Sequence, residues 1–352
     1  MKISILTIHS IHNFGSVFQA YALCKYLNDQ GYEAEIIDYN PIYFRRKSLK
    51  TIIGQWLFFK QYNTRKRKFE TFINENIRLS SHKYFSLDDL KDNPPQADIY
   101  IAGGDQLWNS YHDSGRDSAF KLPFVNGYKI SYGTSMGRDN YTNTELQKLK
   151  DELQGFNRIS VRESSSVKLL NSVGINNVTQ VVDPVLLLSK DEYEQFIKKP
   201  QIDNYLFVYL VQPTELLNKA VEYLAKELEL KVVLYGGLSK KCKYDFFLKD
   251  LGPSEVLSYI KHADFVLSAS FHATVFSIIY HKPFATLLPN KQTNDRIEDI
   301  LNWSELSHRI IKSPGDLNDQ LLTNIDFVSA DQEVEKRISK SREWLETVIN
   351  NF

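Results

Sequence analysis

The residues best equipped for chemistry lie together in Ser268-Ala269-Ser270-Phe271-His272-Ala273-Thr274-Val275-Phe276-Ser277. The apolar run Ala263-Asp264-Phe265-Val266-Leu267 before it reads as a buried strand. Residues 275–281 after it read as a short buried helix that ends before Pro283. A His between such a strand and helix stands beside unpaired helix N–H groups, which with the helix dipole attract anions. An imidazole there can pass a proton to or from a phosphate or carboxylate substrate. A His that only caps the helix is the other reading. Ser270 and Thr274 flank His272 and are candidate substrate contacts.

A second group follows the first strand, in Asn13-Phe14-Gly15-Ser16-Val17-Phe18-Gln19. Gly15 lets the backbone approach a ligand, and Ser16 is expected to cap the next helix. Asn13 and Gln19 can point at the same helix mouth. Asp38, ending the second strand, stands where dinucleotide-binding folds hold a ribose. The loop has a single glycine rather than G-x-G-x-x-G, which disfavours NAD.

The third group is Gly103-Gly104-Asp105-Gln106-Leu107-Trp108-Asn109. Gly104, Asp105, Gln106 and Asn109 suit sugar hydroxyls, because amides and carboxylates can satisfy both their donors and acceptors. Trp108 can stack on a sugar face. A loop capped by Asp105 is the alternative. Arg162, at a strand end, can fork onto a carboxylate or phosphate, or pair with Glu163 or Asp183 and brace the fold. Arg296 starts a helix and is a further candidate for an anion.

Alternating strands and helices must position these groups. Strands are expected at 3–8, 34–38, 98–102, 129–133, 158–161, 179–182, 205–211, 231–235 and 283–288. Helices are expected at 16–27, 143–156, 164–172, 215–229 and 253–262, and 42–80 reads as mostly helical. The pattern implies an α/β fold of two Rossmann-like lobes, with parallel sheets facing a central cleft. The expected divisions are an N-terminal lobe at 1–197 on the acceptor side, a linker at 198–204, a C-terminal lobe at 205–330, and a terminal amphipathic helix at 331–352. Ligands in such folds sit beyond the carboxyl ends of the strands, where all three groups fall.

The 352 residues carry 43 basic and 43 acidic side chains, so no overall field argues for nucleic acid. Two cysteines, Cys24 and Cys242, cannot build a disulfide framework, and no metal cluster is evident. The amino terminus lacks a signal-peptide pattern, and no run approaches the roughly 18 apolar residues of a membrane span. A cytoplasmic location is expected. Segment 44–68 is basic, and Trp56, Leu57, Phe58 and Phe59 lie within it. It reads as solvated helix faces around an aromatic seam, or as a peripheral contact with the inner face of an anionic membrane.

With these residues in view, the chain resembles the polysaccharide pyruvyl transferase family. The likeness runs through 13–23, 103–109, 131–137, 161–170, 182–188 and 252–283, the last holding Ser270-Phe271-His272. It implies a GT-B-like fold and transfer of a pyruvyl group from phosphoenolpyruvate to two sugar hydroxyls, with no cofactor beyond that co-substrate. The acceptor would be a sugar of a capsule or exopolysaccharide, or its lipid-linked oligosaccharide precursor. The resemblance assigns proton transfer to His272 and donor binding to Arg162. Some branches carry Arg where this chain has Ser270, and Ala269, Ala273 and Gly104 replace the family's usual Asp, Gly and Ser. A GT-B glycosyltransferase using a nucleotide sugar, its diphosphate cradled by Gly236-Gly237, is the alternative. A non-catalytic sugar-binding homologue is a third.

Overall fold

Short runs such as Ile3-Ser4-Ile5-Leu6 and Phe265-Val266-Leu267 are apolar on both faces, the composition of strands covered by helices on both sides. The computed structural model describes residues 1–45, 58–210, 213–237, 242–288 and 295–352. In chain order the first part contains β1 (Lys2–Leu6), α1 (Phe14–Asp29), β2 (Glu33–Tyr39), α2 (Phe59–Asn76), β3 (Leu79–Tyr84) and α3 (Leu87–Asp92). It continues through β4 (Ile99–Gly103), α4 (Asp113–Arg116), β5 (Tyr128–Tyr132), α5 (Asn143–Leu153), β6 (Ile159–Val161), α6 (Ser164–Ser172) and β7 (Val178–Gln180). The second part contains α7 (Lys190–Glu194), β8 (Tyr205–Leu210), α8 (Glu215–Glu227), β9 (Lys231–Gly236), β10 (Phe246–Leu248) and α9 (Pro253–His262). It ends with β11 (Phe265–Ser268), α10 (Phe271–Ile279), β12 (Phe284–Leu287), α11 (Asp295–Trp303), β13 (Ile310–Ile311) and α12 (Val328–Asn350).

The strands form two parallel sheets with one topology. The first has the order β3-β2-β1-β4-β5, and single bridges from Ile130 to Arg158 and from Thr134 to Val161 join it to the β6-β7 pair. The second has the order β10-β9-β8-β11-β12-β13. Each strand order reverses direction once, between β1 and β4 and between β8 and β11. In open α/β sheets, ligands bind beyond the strand ends at that reversal.

The chain divides into two compact units. The first takes the described residues of 1–57, 70–188 and 335–352, and the second takes 58–69 and 189–334. The boundary therefore falls at Leu188, not in a linker at 198–204. Residues 189–197 belong to the second unit because Tyr193 packs edge-on against Phe276 at 5.1 Å and Lys261 pairs with Glu194. The terminal helix starts within the second unit, and from Glu335 onward it docks on the first. There Leu345, Val348 and Ile349 are buried, and Ser341 Oγ accepts the Val182 N–H at 3.0 Å. Each such apolar side chain contributes about 1.5–3 kcal/mol on burial.

Three other expectations change. Residues 79–84 form a parallel strand on β2, so the helical expectation for 42–80 fails at its last two residues. Short strands also occur at β10 and β13. Within the basic segment 44–68, residues 46–57 lie outside the described residues, and the rest of its second half opens α2. No helix among the described residues is long and apolar enough to cross a membrane.

Candidate functional site

The loops at the sheet reversal of the first unit are tied together by buried polar contacts. Helix α1 begins at Phe14, two residues earlier than expected. Its cap is Asn13, whose Oδ1 accepts from the N–H groups of Gly15 at 2.9 Å and Ser16 at 3.4 Å. Ser16 is therefore not the cap. Its hydroxyl is released to donate to Asp105 Oδ2 at 2.5 Å, joining the first turn of α1 to the loop after β4. Gln19 Nε2 donates to Thr7 Oγ1, Ile8 O and Ser16 O at 2.9–3.0 Å.

The turn after β4 holds Gly104 at φ 63° and Asp105 at φ 54°. Two consecutive left-handed residues reverse the chain sharply. Glycine suits the first, because its φ is left-handed and a Cβ on Gly104 would lie 1.8 Å from Gln19 Oε1, forcing that side chain to shift. The Asp105 carboxylate then also accepts its neighbour's N–H, Gln106, at 2.7 Å. Asn109 Nδ2 donates to Gln106 Oε1 at 2.7 Å. Gln19 Oε1 and Ser135 Oγ are buried with no hydrogen-bond partner among the described residues.

Trp108 does not offer a stacking face. It is 1% exposed, its indole N–H donates to Phe120 O at 3.4 Å, and its ring meets Phe156 edge-on. Apolar burial draws the indole under the loop while its polar neighbours remain at the strand end.

Arg162 is buried and forms ion pairs with Asp183 and with Glu163, the latter at 3.3 Å. Burial opposes its charge, but the carboxylates of Asp183, Glu163 and Asp105 outweigh that and hold its pKa above the ordinary value. Asp183 in turn caps the turn at Pro184–Leu187 through Val185 N–H at 3.0 Å. These are the contacts of the bracing alternative.

In the second unit, α10 begins four residues before the expected start, at Phe271. This puts His272 in its first turn and makes Ser270 the cap, with Ser270 Oγ accepting the Ala273 N–H at 3.4 Å. The Ser268 hydroxyl accepts the Ser270 N–H at 2.9 Å, so the strand end folds directly into the helix. Thr274 Oγ1 lies 2.8 Å from Thr286 Oγ1 and seats α10 on the sheet. The Arg296 guanidinium lies 5.6 Å from the Phe271 ring, whose centroid is 5.2 Å from that of the His272 ring. Gly236, at φ 107°, is explained by packing alone, because a Cβ there would meet Leu210 O at 2.4 Å.

The candidates thus form two groups. Asn13, Gly15, Ser16, Gln19, Gly104, Asp105, Gln106 and Asn109 gather with Arg162 in the first unit, and Ser270, His272, Thr274 and Arg296 gather in the second. Asn13 is exposed, Gln106, Ser270 and Arg296 are half-buried, and the others, His272 among them at 6% exposure, are buried.

Two polar clusters escaped the sequence reading. His9 Nε2 lies 3.2 Å from Asp38 Oδ1, its Nδ1 lies 3.3 Å from Thr7 O, and Lys83 pairs with Asp38 at 3.2 Å. Burial alone would raise the Asp38 pKa, but His9 and Lys83 more than reverse this and hold it low. The position of His9 just past a strand end was the available signal. Arg138 is buried between the rings of Tyr111 at 3.7 Å and Tyr141 at 3.9 Å, and pairs with Glu145 at 2.5 Å. No spacing in the sequence announces that cage. Among the described residues, no group of three or more His, Cys, Asp or Glu side chains is assembled to hold a metal.

The profile of the polysaccharide pyruvyl transferase family matches residues 13–291, a span that holds the first group and, in the second, Ser270, His272 and Thr274 but not Arg296. The chain belongs to the polysaccharide pyruvyl transferase family. It is therefore a transferase. No curated protein sequence matches it. Among solved structures it is similar to a Listeria monocytogenes protein assigned as a UDP-N-acetylglucosamine 2-epimerase, with TM-score 0.55 and 10% identity over 96% of this chain and 90% of that one. It is also similar to the UDP-GlcNAc 2-epimerase of Methanocaldococcus jannaschii, with TM-score 0.52 and 13% identity over 95% and 99% of the two chains. An alpha-glucosyltransferase solved with UDP and DNA gives TM-score 0.52 and 9% identity over 99% of each. At these identities the likeness is one of fold, the GT-B-like α/β architecture with parallel sheets.

Proposed function

We propose that the protein transfers the pyruvyl group of phosphoenolpyruvate to two hydroxyls of a sugar in a polysaccharide or its lipid-linked precursor. The observation that carries this reading is the grouping of His272, Ser270 and Arg296 at the start of α10, beside the reversal of a parallel sheet. That corner supplies a proton carrier, a cation and helix N–H groups, which suits a donor with both a carboxylate and a phosphate.

In the proposed reaction, His272 as the acid protonates the donor's methylene carbon, leaving an oxocarbenium centre at the carbon that bears the phosphate. One sugar hydroxyl adds there and loses its proton to the imidazole. A second hydroxyl displaces phosphate, and its proton leaves with that group, so the products are a cyclic ketal and inorganic phosphate. The first unit fits the acceptor better than the donor. Its loops carry Asp105, Asp183 and Glu163 around one arginine, together with buried hydrogen-bonding atoms such as Gln19 Oε1. Sugar hydroxyls satisfy such groups, whereas an anion is opposed by the excess of carboxylates.

The test is incubation with phosphoenolpyruvate and candidate lipid-linked sugars, reading phosphate release and the mass gain on the sugar together. Sugar-dependent release is expected, and His272→Gln is expected to lower kcat roughly 10²–10⁴-fold while the fold is retained. Phosphate release that ignores the sugar would overturn the reading in favour of hydrolysis.

A further inference from the structure

The α10 end of the second sheet has a counterpart one strand beyond the reversal. The registers Thr286↔Ser268, Ser268↔Tyr209 and Tyr209↔Tyr235 run across four strands at their carboxyl ends. Register partners in a parallel sheet share a face. Thr274 meets Thr286 on that face, so α10 lies over one end of this row. Over the other end lies α2, which places the Arg65 guanidinium 5.6 Å from the Tyr235 ring and 5.5 Å from the Phe69 ring. Tyr209 and Tyr235 are themselves in contact, with ring centroids 5.2 Å apart.

We propose that Arg65 is a donor-binding residue that takes one anionic group of phosphoenolpyruvate at the carboxyl ends of these strands, where Ser270 caps α10 and α11 brings Arg296 to Phe271. The inference rests on the reading of this corner as the donor site. Neighbouring strands are about 4.8 Å apart, so the Tyr235 column lies only about 10 Å from Ser268, a gap that one long side chain and a small dianion can bridge. The residue type suits the task. The Phe69 and Tyr235 rings flank the guanidinium, and a lysine would lack its fork. Burial raises the phenol pKa values of Tyr209 and Tyr235, and the positive charge of Arg65 opposes that rise in both, as expected for a cation set beside the two rings. The donor's second charge then falls to Arg296 and the α10 N–H groups, which replaces the cation that Ser270 cannot supply.

The full chain is titrated with phosphoenolpyruvate by calorimetry, as wild type, Arg65→Gln, Arg65→Lys and Arg65→Ala, with UDP as a second anion. The expected result is phosphoenolpyruvate binding that weakens roughly 10- to 100-fold in Arg65→Gln and less in Arg65→Lys. The donor KM should rise with it, and added guanidinium should partly restore binding to Arg65→Ala, which a packing role would not show. Wild-type binding that Arg65→Gln leaves unchanged overturns this inference and spares the donor reading. If UDP binds in an Arg65-dependent manner and phosphoenolpyruvate does not, the donor reading falls and the anion-binding role of Arg65 stands. Binding of neither overturns both. Unaltered melting of Arg65→Lys guards against loss of fold as the cause.

Discussion

The Ser16 hydroxyl donates to Asp105 Oδ2 across 89 positions of sequence, at 2.5 Å and out of solvent. This contact joins the first turn of α1, the helix that follows β1, to the loop that follows β4, and β1 and β4 are the two strands at the reversal of the first sheet. A hydrogen bond from a neutral donor to a buried carboxylate is worth more than an ordinary one. Ser16→Ala is expected to lower the unfolding free energy by about 1.5–3 kcal/mol. Urea denaturation monitored by circular dichroism measures it, and an unchanged midpoint would count against the contact.

Gly104 and Gln19 compete for one volume. Gly104→Ala puts a methyl group 1.8 Å from Gln19 Oε1 at a backbone φ of 63°. The left-handed conformation alone costs about 1–2 kcal/mol, and displacing Gln19 adds to it. Combining Gly104→Ala with Gln19→Ala should therefore cost less than the sum of the single changes, with a coupling of about 0.5–3 kcal/mol. Strict additivity in the double-mutant cycle would refute the steric argument.

Arg162 separates bracing from catalysis. Removing its charge leaves Asp183 and Glu163 buried without their cation. Arg162→Gln is expected to destabilise the first unit by about 3–5 kcal/mol, seen as a lowered melting temperature whether or not substrate is present. A variant with native melting and a raised donor KM would instead restore a substrate role to this residue.

Lys121 gives a dependence on alkaline pH. It is 1% exposed, its ammonium donates to the carbonyls of Gly115 at 2.5 Å and Asp117 at 3.1 Å, and burial pushes its pKa down to about 8. The folded chain thus sheds this proton near pH 8, whereas the unfolded chain keeps it up to about 10.5. Between those values the unfolded state binds more protons, so this group's contribution to stability rises with pH. Relative to Lys121→Met, the wild type should gain stability from pH 8 to 10.5, and parallel profiles for the two proteins would contradict this.

The alternation of elements was legible because periodicity is local. Helices Ser164–Ser172 and Pro253–His262 fall at their expected bounds, since Glu163 precedes a polar-faced run and Pro253 starts a helix naturally. Strands β3 and β13 were missed for the opposite reason. Leu79-Ser80-Ser81-His82-Lys83-Tyr84 has little apolar content, and only pairing with β2 makes it a strand. The start of α10 was placed late because Ser270-Phe271-His272-Ala273 lacks an apolar period, while Ser270 and Ser268 supply the caps that begin the helix there.

The sequence by itself determined the parallel α/β class, the family, and the positions of the polar loops, because each is written in residues close together in the chain. Tertiary structure decided what those polar groups do. It set Asn13 rather than Ser16 as the cap, drew Trp108 into the core, and surrounded Arg162 with carboxylates. It also brought Arg65 over a sheet that begins 140 residues later, at Tyr205. Such roles depend on which charges and hydroxyls meet across a fold, and only packing brings groups far apart in the chain within hydrogen-bonding reach.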